Sequence, residues 1–347
     1  MKFERRYFLK IVFLALVFGG CGKNANFNKA TDEKVNLLVN KNIIKKESQV
    51  VVIYPSLYDA DKIFGQLKEN IKAYPSFSVK NQTVVLKPNM VDYNPGKVLT
   101  TNPIFLTGVI KLFVYLEAKE IVVADGTANV RDTEYVLNKT GIGKACRDNG
   151  VKFVDLNYDD IEPISNTNGF SGIDPFYLPK TIVQADKVIS LPKMKCHHWA
   201  LLTASMKNMF GTVPGKQYGW PKNLLHYKGI SRCIIDLMLL IKPDFAIVDG
   251  IEAMEGDGPL NGDTVNSKVI VMGDDLASVD ATCARIMDID VNKIPYMKMA
   301  GKLVGQTAED KIKIQGSPIS NVKKSFKLPI TYLDPSRYLS LGKNQTS

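Results

Sequence analysis

Short β-branched and apolar runs alternate along this chain with longer segments in which apolar positions recur every three or four residues. Residues 50–54, 83–87, 120–125, 152–156, 187–191, 244–249 and 268–272 read as strands. They are nearly continuously apolar rather than alternating, the mark of strands covered on both faces. Residues 59–74, 103–118, 133–149, 229–241 and 275–288 carry the helical spacing. Strand and helix in alternation predict an α/β fold, a mainly parallel sheet flanked by helices. The chain divides into residues 1–21, a polar stretch 22–48 rich in Asn and Lys, a single α/β domain over 49–318 and a basic tail over 319–347. In that tail a short apolar stretch, 328–333, reads as an edge strand or a surface-packed end.

Ligands in such sheets collect at the C-terminal ends of the strands. The residues with most chemistry follow that rule, because Lys87-Pro88-Asn89, Asp125-Gly126-Thr127, Pro192 to His198 and Asp249-Gly250 each follow a predicted strand directly. All three histidines, His197, His198 and His226, fall in one segment, together with Lys193, Lys195, Lys207-Asn208 and Lys216. No acidic residue stands between Lys187 and Lys228. Uncompensated positive charge beside glycine-containing turns suits an anion, since backbone N–H groups can approach it closely there. Adjacent strand residues point to opposite sides, so only one of His197 and His198 is expected in the pocket, and His197 is preferred.

Each candidate has a plainer reading beside it. Lys87 either binds a ligand or caps the sheet edge, and Asn89 is either a ligand contact or a turn former. Lys207 emerges from an apolar helical run, residues 200–206, as either a snorkelling surface residue or a partly buried cation of lowered pKa. His226 is a proton-transfer residue or simply opens the helix that ends near Ile241. The acidic stretch 249–259 offers Asp249 and Glu255 as ligands for Mg²⁺ or Ca²⁺, or Glu255 as a general base; the alternative is a solvated turn. Neither an EF-hand nor a Walker spacing is present.

Composition narrows the partners. The formal charge is +10, of which the first 21 residues supply +3, leaving +7 for the rest. That excess favours anionic ligands or headgroups, but no nucleic-acid motif accompanies it. Cys146, Cys196, Cys233 and Cys283 are far apart with no Cys-x-x-Cys pair, which argues against an iron–sulfur cluster. Arg5-Arg6-Tyr7-Phe8-Leu9-Lys10, a short apolar run and Gly19-Gly20-Cys21 have the form of a twin-arginine export signal, with Cys21 as a lipidation site. The apolar run is too short to span a bilayer. The expectation is an exported, lipid-anchored protein of the cell envelope, with residues 22–48 as a tether.

Several spaced motifs resemble one family. Lys87-Pro88-Asn89, Lys193-Met194-Lys195-Cys196-His197, Lys207-Asn208-Met209-Phe210-Gly211 with Pro214-Gly215-Lys216, His226, Asp249-Gly250-Ile251 through Gly258-Pro259, and Asp275 with Asp280 look like the bacterial and archaeal domain of unknown function 362. Many of its members carry iron–sulfur cysteines, and this chain departs from them in having none. A fainter resemblance runs through residues 185–190, Lys207, Gly211, Pro214-Gly215 and His226 to the N-terminal domain of nickel-pincer lactate racemases. There it implies a lysine and histidines that hold the cofactor and move protons. The Ser-Gly-Gly before that family's lysine is missing here, where Ala204-Ser205-Met206 stands, so the resemblance implies architecture and pocket location. Two functions follow as expectations: an enzyme acting on a small phosphorylated or carboxylated metabolite, or a noncatalytic ligand-binding lipoprotein. In the first, the lysines bind the anion while His197, His226 and Glu255 do the proton chemistry.

Overall fold

A computed structural model describes residues 47–333. The expected export signal with Cys21, nearly all of the stretch read as a tether and the last 14 residues lie outside the described residues. The sheet is built from β1 (Ser48–Ile53), β2 (Thr83–Pro88), β3 (Glu120–Asp125) and β4 (Lys152–Asp155), with β5 (Ile161–Ile164) and β6 (Phe176–Pro179) forming a separate two-stranded ribbon. It continues with β7 (Lys187–Leu191), β8 (Lys193–His197), β9 (Leu201–Thr203), β10 (Phe245–Glu255), β11 (Asp263–Gly273) and β12 (Ile312–Gly316). The order across the main sheet is β12-β1-β11-β10-β7-β2-β3-β4, with β8 paired to β10 and β9. Along that path only β11 runs against its neighbours. It does so because it returns from β10 as a hairpin. The sheet is thus mainly parallel, as the apolar runs predict, and β1 points the same way as β2 and β7.

Alternation along each strand sends side chains to two cores. Val51, Val84, Leu86, Val123, Ile189 and Ile247 face α1 (Ala60–Asn70), α2 (Pro103–Tyr115), α3 (Thr133–Thr140) and α4 (Ile142–Asp148). Val50, Val52, Val85, Val122, Val188 and Val248 belong to the other core. It is covered by α5 (Lys180–Val183), α6 (Ser205–Met209), α7 (Gly215–Tyr218), α8 (Asn223–Lys228), α9 (Ile230–Ile241), α10 (Leu276–Ile286) and α11 (Met297–Leu303). Helix starts are fixed by side-chain caps. Asp59, Asn102, Asp132 and Asp275 each accept from backbone N–H groups of the first turn.

The structure departs from the sequence reading at turns. The predicted helix 133–149 is broken at Gly141, whose φ of 80° ends α3 before α4 begins. The segment 200–206, read as helical, is instead strand β9 followed by the first residues of α6. His226 lies not at the start of α9 but in α8, separated from it by Gly229 at φ 104°. The acidic stretch continues as strand to Glu255, because β10 pairs with β11 well past Asp249. The described part of the tail forms two single-turn helices, α12 (Ile319–Val322) and α13 (Ile330–Leu333), and β12 supplies the edge strand just before them. No helix among the described residues is long and apolar enough to cross a membrane.

Candidate functional site

A cavity of about 260 Å³ opens at the C-terminal ends of β2, β3 and β8. That volume suits a small metabolite rather than a dinucleotide. Its wall brings together Lys87, Asn89, Lys195, His197, Lys207, Asn208 and His226 from the sequence-derived candidates. It also brings in Asp125 and His198, flagged at strand ends but given no role, and Trp199, Thr203, Lys222 and Asp257, which the sequence did not single out as site residues.

One end of the pocket is electrically balanced. Lys87, fully buried, donates to Asp125 at 2.8 Å, to the Pro88 carbonyl at 3.0 Å and to Asn208 Oδ1 at 3.3 Å. Burial lowers its pKa while Asp125 opposes that shift. Since β2 lies between β7 and β3, Lys87 is no sheet-edge cap. Asp125 is itself held by the N–H groups of Met90 and Gly126. Lys222 donates to Asn157 Oδ1, and burial brings it down to about 8. A side chain at Gly126 would collide with Asn157, and one at Gly211 would come within 3.0 Å of the Lys87 ammonium. Glycine at both positions therefore leaves these groups their room.

The other end carries cations and imidazoles without a carboxylate partner of their own. Lys195 is fully buried and donates to the Leu99 carbonyl at 2.9 Å; burial, with Lys193 and Lys207 adding repulsion, holds its pKa well below the usual lysine range. Lys207 is partly buried, with its ammonium 4.3 Å from the centre of the Phe210 ring and no hydrogen-bond acceptor among the described residues. Burial, helped by repulsion from Lys87, brings it down to about 7. Two oxygen atoms of buried lining residues, Asn89 Oδ1 and Thr203 Oγ1, also lack partners. Leaving such groups unpaired costs about 1–3 kcal/mol each, so a polar ligand has something to satisfy here.

The histidines are held in defined tautomers. His197 Nδ1 accepts from the N–H groups of Trp199 (3.0 Å) and Ala200 (3.2 Å), which puts its proton on Nε2. His198 Nδ1 donates to the Gly258 carbonyl at 2.7 Å and His226 Nδ1 to the Lys222 carbonyl at 3.0 Å, leaving an Nε2 lone pair on each. Burial keeps all three neutral, and His226 falls to about 4. Both His197 and His198 line the pocket, contrary to the expectation that only one would. Strand alternation stops applying because β8 ends at His197, and the two rings stack at 4.9 Å. Trp199 and Phe210 wedge His226 edge-on at 5.2 and 5.1 Å.

Four candidates lie outside the pocket lining. Lys193 stands opposite Asp249 in the β8–β10 register and is locked to it at 2.6 Å, with Tyr58 bonded to both. Asp249 also accepts from the Asn102 N–H, so its oxygens are already occupied. Glu255 turns to the tail, accepting from the backbone of Lys327 at 2.9 Å. Lys216 is exposed, and the neighbouring Gly215 N–H is taken by Asn157. Asp249 and Glu255 therefore do not form the acid pair read from the sequence. Among the described residues no group of three or more His, Cys, Asp and Glu side chains is placed to hold a metal ion. The four cysteines 146, 196, 233 and 283 are buried free thiols.

The tail reaches the rim of this site. Thr331 Oγ1 donates to the His198 carbonyl at 2.6 Å, Tyr332 to the Trp199 carbonyl at 3.1 Å, and the Ile330 N–H to Asp257 at 2.8 Å. Nothing in the tail's composition signals these contacts. Lys222, by contrast, lies in the acid-free segment that flagged the rest.

A thylakoid-associated protein of Synechocystis is 27% identical over 284 residues, covering 78% of this chain and 85% of that protein. Among solved structures, the lactate racemase apoprotein of Thermoanaerobacterium thermosaccharolyticum is similar at a TM-score of 0.42 and 14% identity, over 71% of this chain and 58% of that one. A structural-genomics protein of Thermotoga maritima is similar at 0.37 and 12%, over 72% and 61%. The chain thus spans about three fifths of the length of these two structures. The sequence profile of the family described as domain of unknown function DUF362 matches residues 84–285, more than half of the chain, and the protein belongs to that family.

Proposed function

We propose that this is an exported, lipid-anchored protein of the cell envelope whose pocket binds a small phosphorylated or carboxylated metabolite and acts on it as an enzyme. The observation that carries the pocket reading is Lys207, a lysine without an acceptor that lines the same cavity as the unpaired oxygens of Asn89 and Thr203. An anion between Lys195 and Lys207 relieves their mutual repulsion, and the Thr203 hydroxyl can donate to it. The Nε2 lone pairs of His198 and His226 accept protons from such a ligand, and the Nε2–H of His197 donates one. The envelope reading rests on the Arg5-Arg6 motif and Cys21.

Binding without turnover is the second reading, favoured by the position of Glu255, which takes the expected carboxylate base out of the pocket. Inorganic phosphate should raise the melting temperature of the parent protein, and Lys207→Ala should lower phosphate affinity about ten- to a hundredfold, the loss of one charge-assisted contact. An unchanged response to phosphate in Lys207→Ala would overturn the pocket reading. His226→Ala separates the two functions: an enzyme loses turnover at near-normal binding, whereas a binding protein shows no turnover in either form.

A further inference from the structure

Most lysines in folded proteins are protonated and cannot attack anything, so a lysine becomes a nucleophile only where its surroundings remove the proton. Three of the four lysines in this pocket are committed. Lys87 is bonded to Asp125 and Asn208, Lys195 to the Leu99 carbonyl, and Lys222 to Asn157. Lys207 has only the Phe210 ring beside its nitrogen, and it borders the cavity directly. The groups coupled to it are Lys87, Lys195, His197, His198 and His226, all cationic or neutral, while the two carboxylates of the lining are engaged elsewhere, Asp125 by Lys87 and Asp257 by the Ile330 N–H. With no carboxylate partner to hold a proton on Nζ, its pKa of about 7 leaves a large share of the amine uncharged at neutral pH.

We propose that Lys207 forms an imine with a small ligand that carries an aldehyde or ketone next to an anionic group, such as a 2-oxo acid. This rests on the pocket being an anion site and goes further by naming the ligand's reactive group. Lys195 and the Thr203 hydroxyl take the anionic end, while the Lys207 nitrogen attacks the carbonyl carbon. A C–N bond forms as the carbonyl π pair moves to oxygen. Two protons then pass from nitrogen to that oxygen, the His226 Nε2 lone pair serving as relay. Water leaves with its bonding pair and the nitrogen lone pair closes the C=N bond. The balance is amine plus carbonyl giving imine plus water, with no oxidant or reductant.

The experiment uses the full chain, glyoxylate as probe and cyanoborohydride to fix any imine, followed by peptide mapping with the α-amino group scored separately. The peptide carrying Lys207 should be labelled on the order of tenfold or more faster than any surface lysine, because its uncharged fraction is far larger at neutral pH. Lys207→Arg should abolish that label, and inorganic phosphate should slow it in the parent protein. Label spread evenly over surface lysines, or unchanged in Lys207→Arg, overturns the proposal. If the variant does not fold, the parent's own labelling map and its protection by phosphate decide the question. Phosphate stabilisation of the parent without selective labelling overturns the imine and leaves the anion pocket standing; absence of both overturns the pocket as well.

Discussion

Lys87 and Lys207 are the same residue type in one cavity, yet their partners give them opposite roles in stability. Lys87→Met strands a buried carboxylate, Asp125, and should cost about 3–5 kcal/mol in urea unfolding. Lys207→Met removes a cation with no acceptor and should hold or raise stability when no ligand is present. The pH dependence separates them further. Lys207 falls from an ordinary 10.5 to about 7 on folding, so between those values the folded state binds fewer protons than the unfolded chain. Stability therefore climbs with pH through that window and is lowest below it, by up to about 1.4 kcal/mol per pH unit for this one group. Subtracting the Lys207→Met profile from the parent's should isolate that climb; superimposable profiles would show an amine charged as in solvent. The sequence made both lysines visible through the acid-free stretch and the strand-end rule. It could not separate Lys193 from Lys195, since both lie on one side of β8. About 6.6 Å of strand rise leaves one opposite Asp249 and the other at the cavity.

At the level of elements, the site depends on a five-residue helix. Asp280 accepts from the Ser205 N–H at 2.6 Å, the Met206 N–H at 3.2 Å and the Tyr296 hydroxyl at 3.1 Å, fixing the start of α6 and hence Lys207 and Asn208. Its place in α10 makes it a long-range cap that no local pattern around residue 205 reveals. Burial raises Asp280 to about 6. Asp280→Ala should cost about 2–4 kcal/mol and weaken phosphate binding in the fraction that stays folded. If phosphate affinity is unchanged in the folded variant, α6 holds its place without the cap. Elements read from continuous apolar runs, such as β2, β3 and β7, were legible because burial on both faces leaves few alternatives. The β9–α6 corner was not, because residues 200–206 suit a helical reading by themselves, whereas pairing with β8 draws Leu201–Thr203 into a strand.

Across the whole molecule, two cores sandwich one sheet, and the chemistry gathers at the ends of its parallel strands. The envelope proposal makes its own prediction at this scale. Replacing Arg5 and Arg6 with lysine should leave the precursor in the cytoplasm by cell fractionation, because the export signal is read as an arginine pair rather than as charge. Cys21→Ala should abolish fatty-acid labelling and release the protein from the membrane fraction; unchanged partition would point to an uncleaved anchor. Direction within the sheet adds a consequence. Because β1 runs parallel to β2 and β7, the backbone enters the described body at Ser48, at the pole opposite the cavity mouth. Under the envelope proposal, attachment on the N-terminal side and the cavity mouth fall at opposite ends of the body, so small solutes would reach Lys207 without first crossing the headgroup layer.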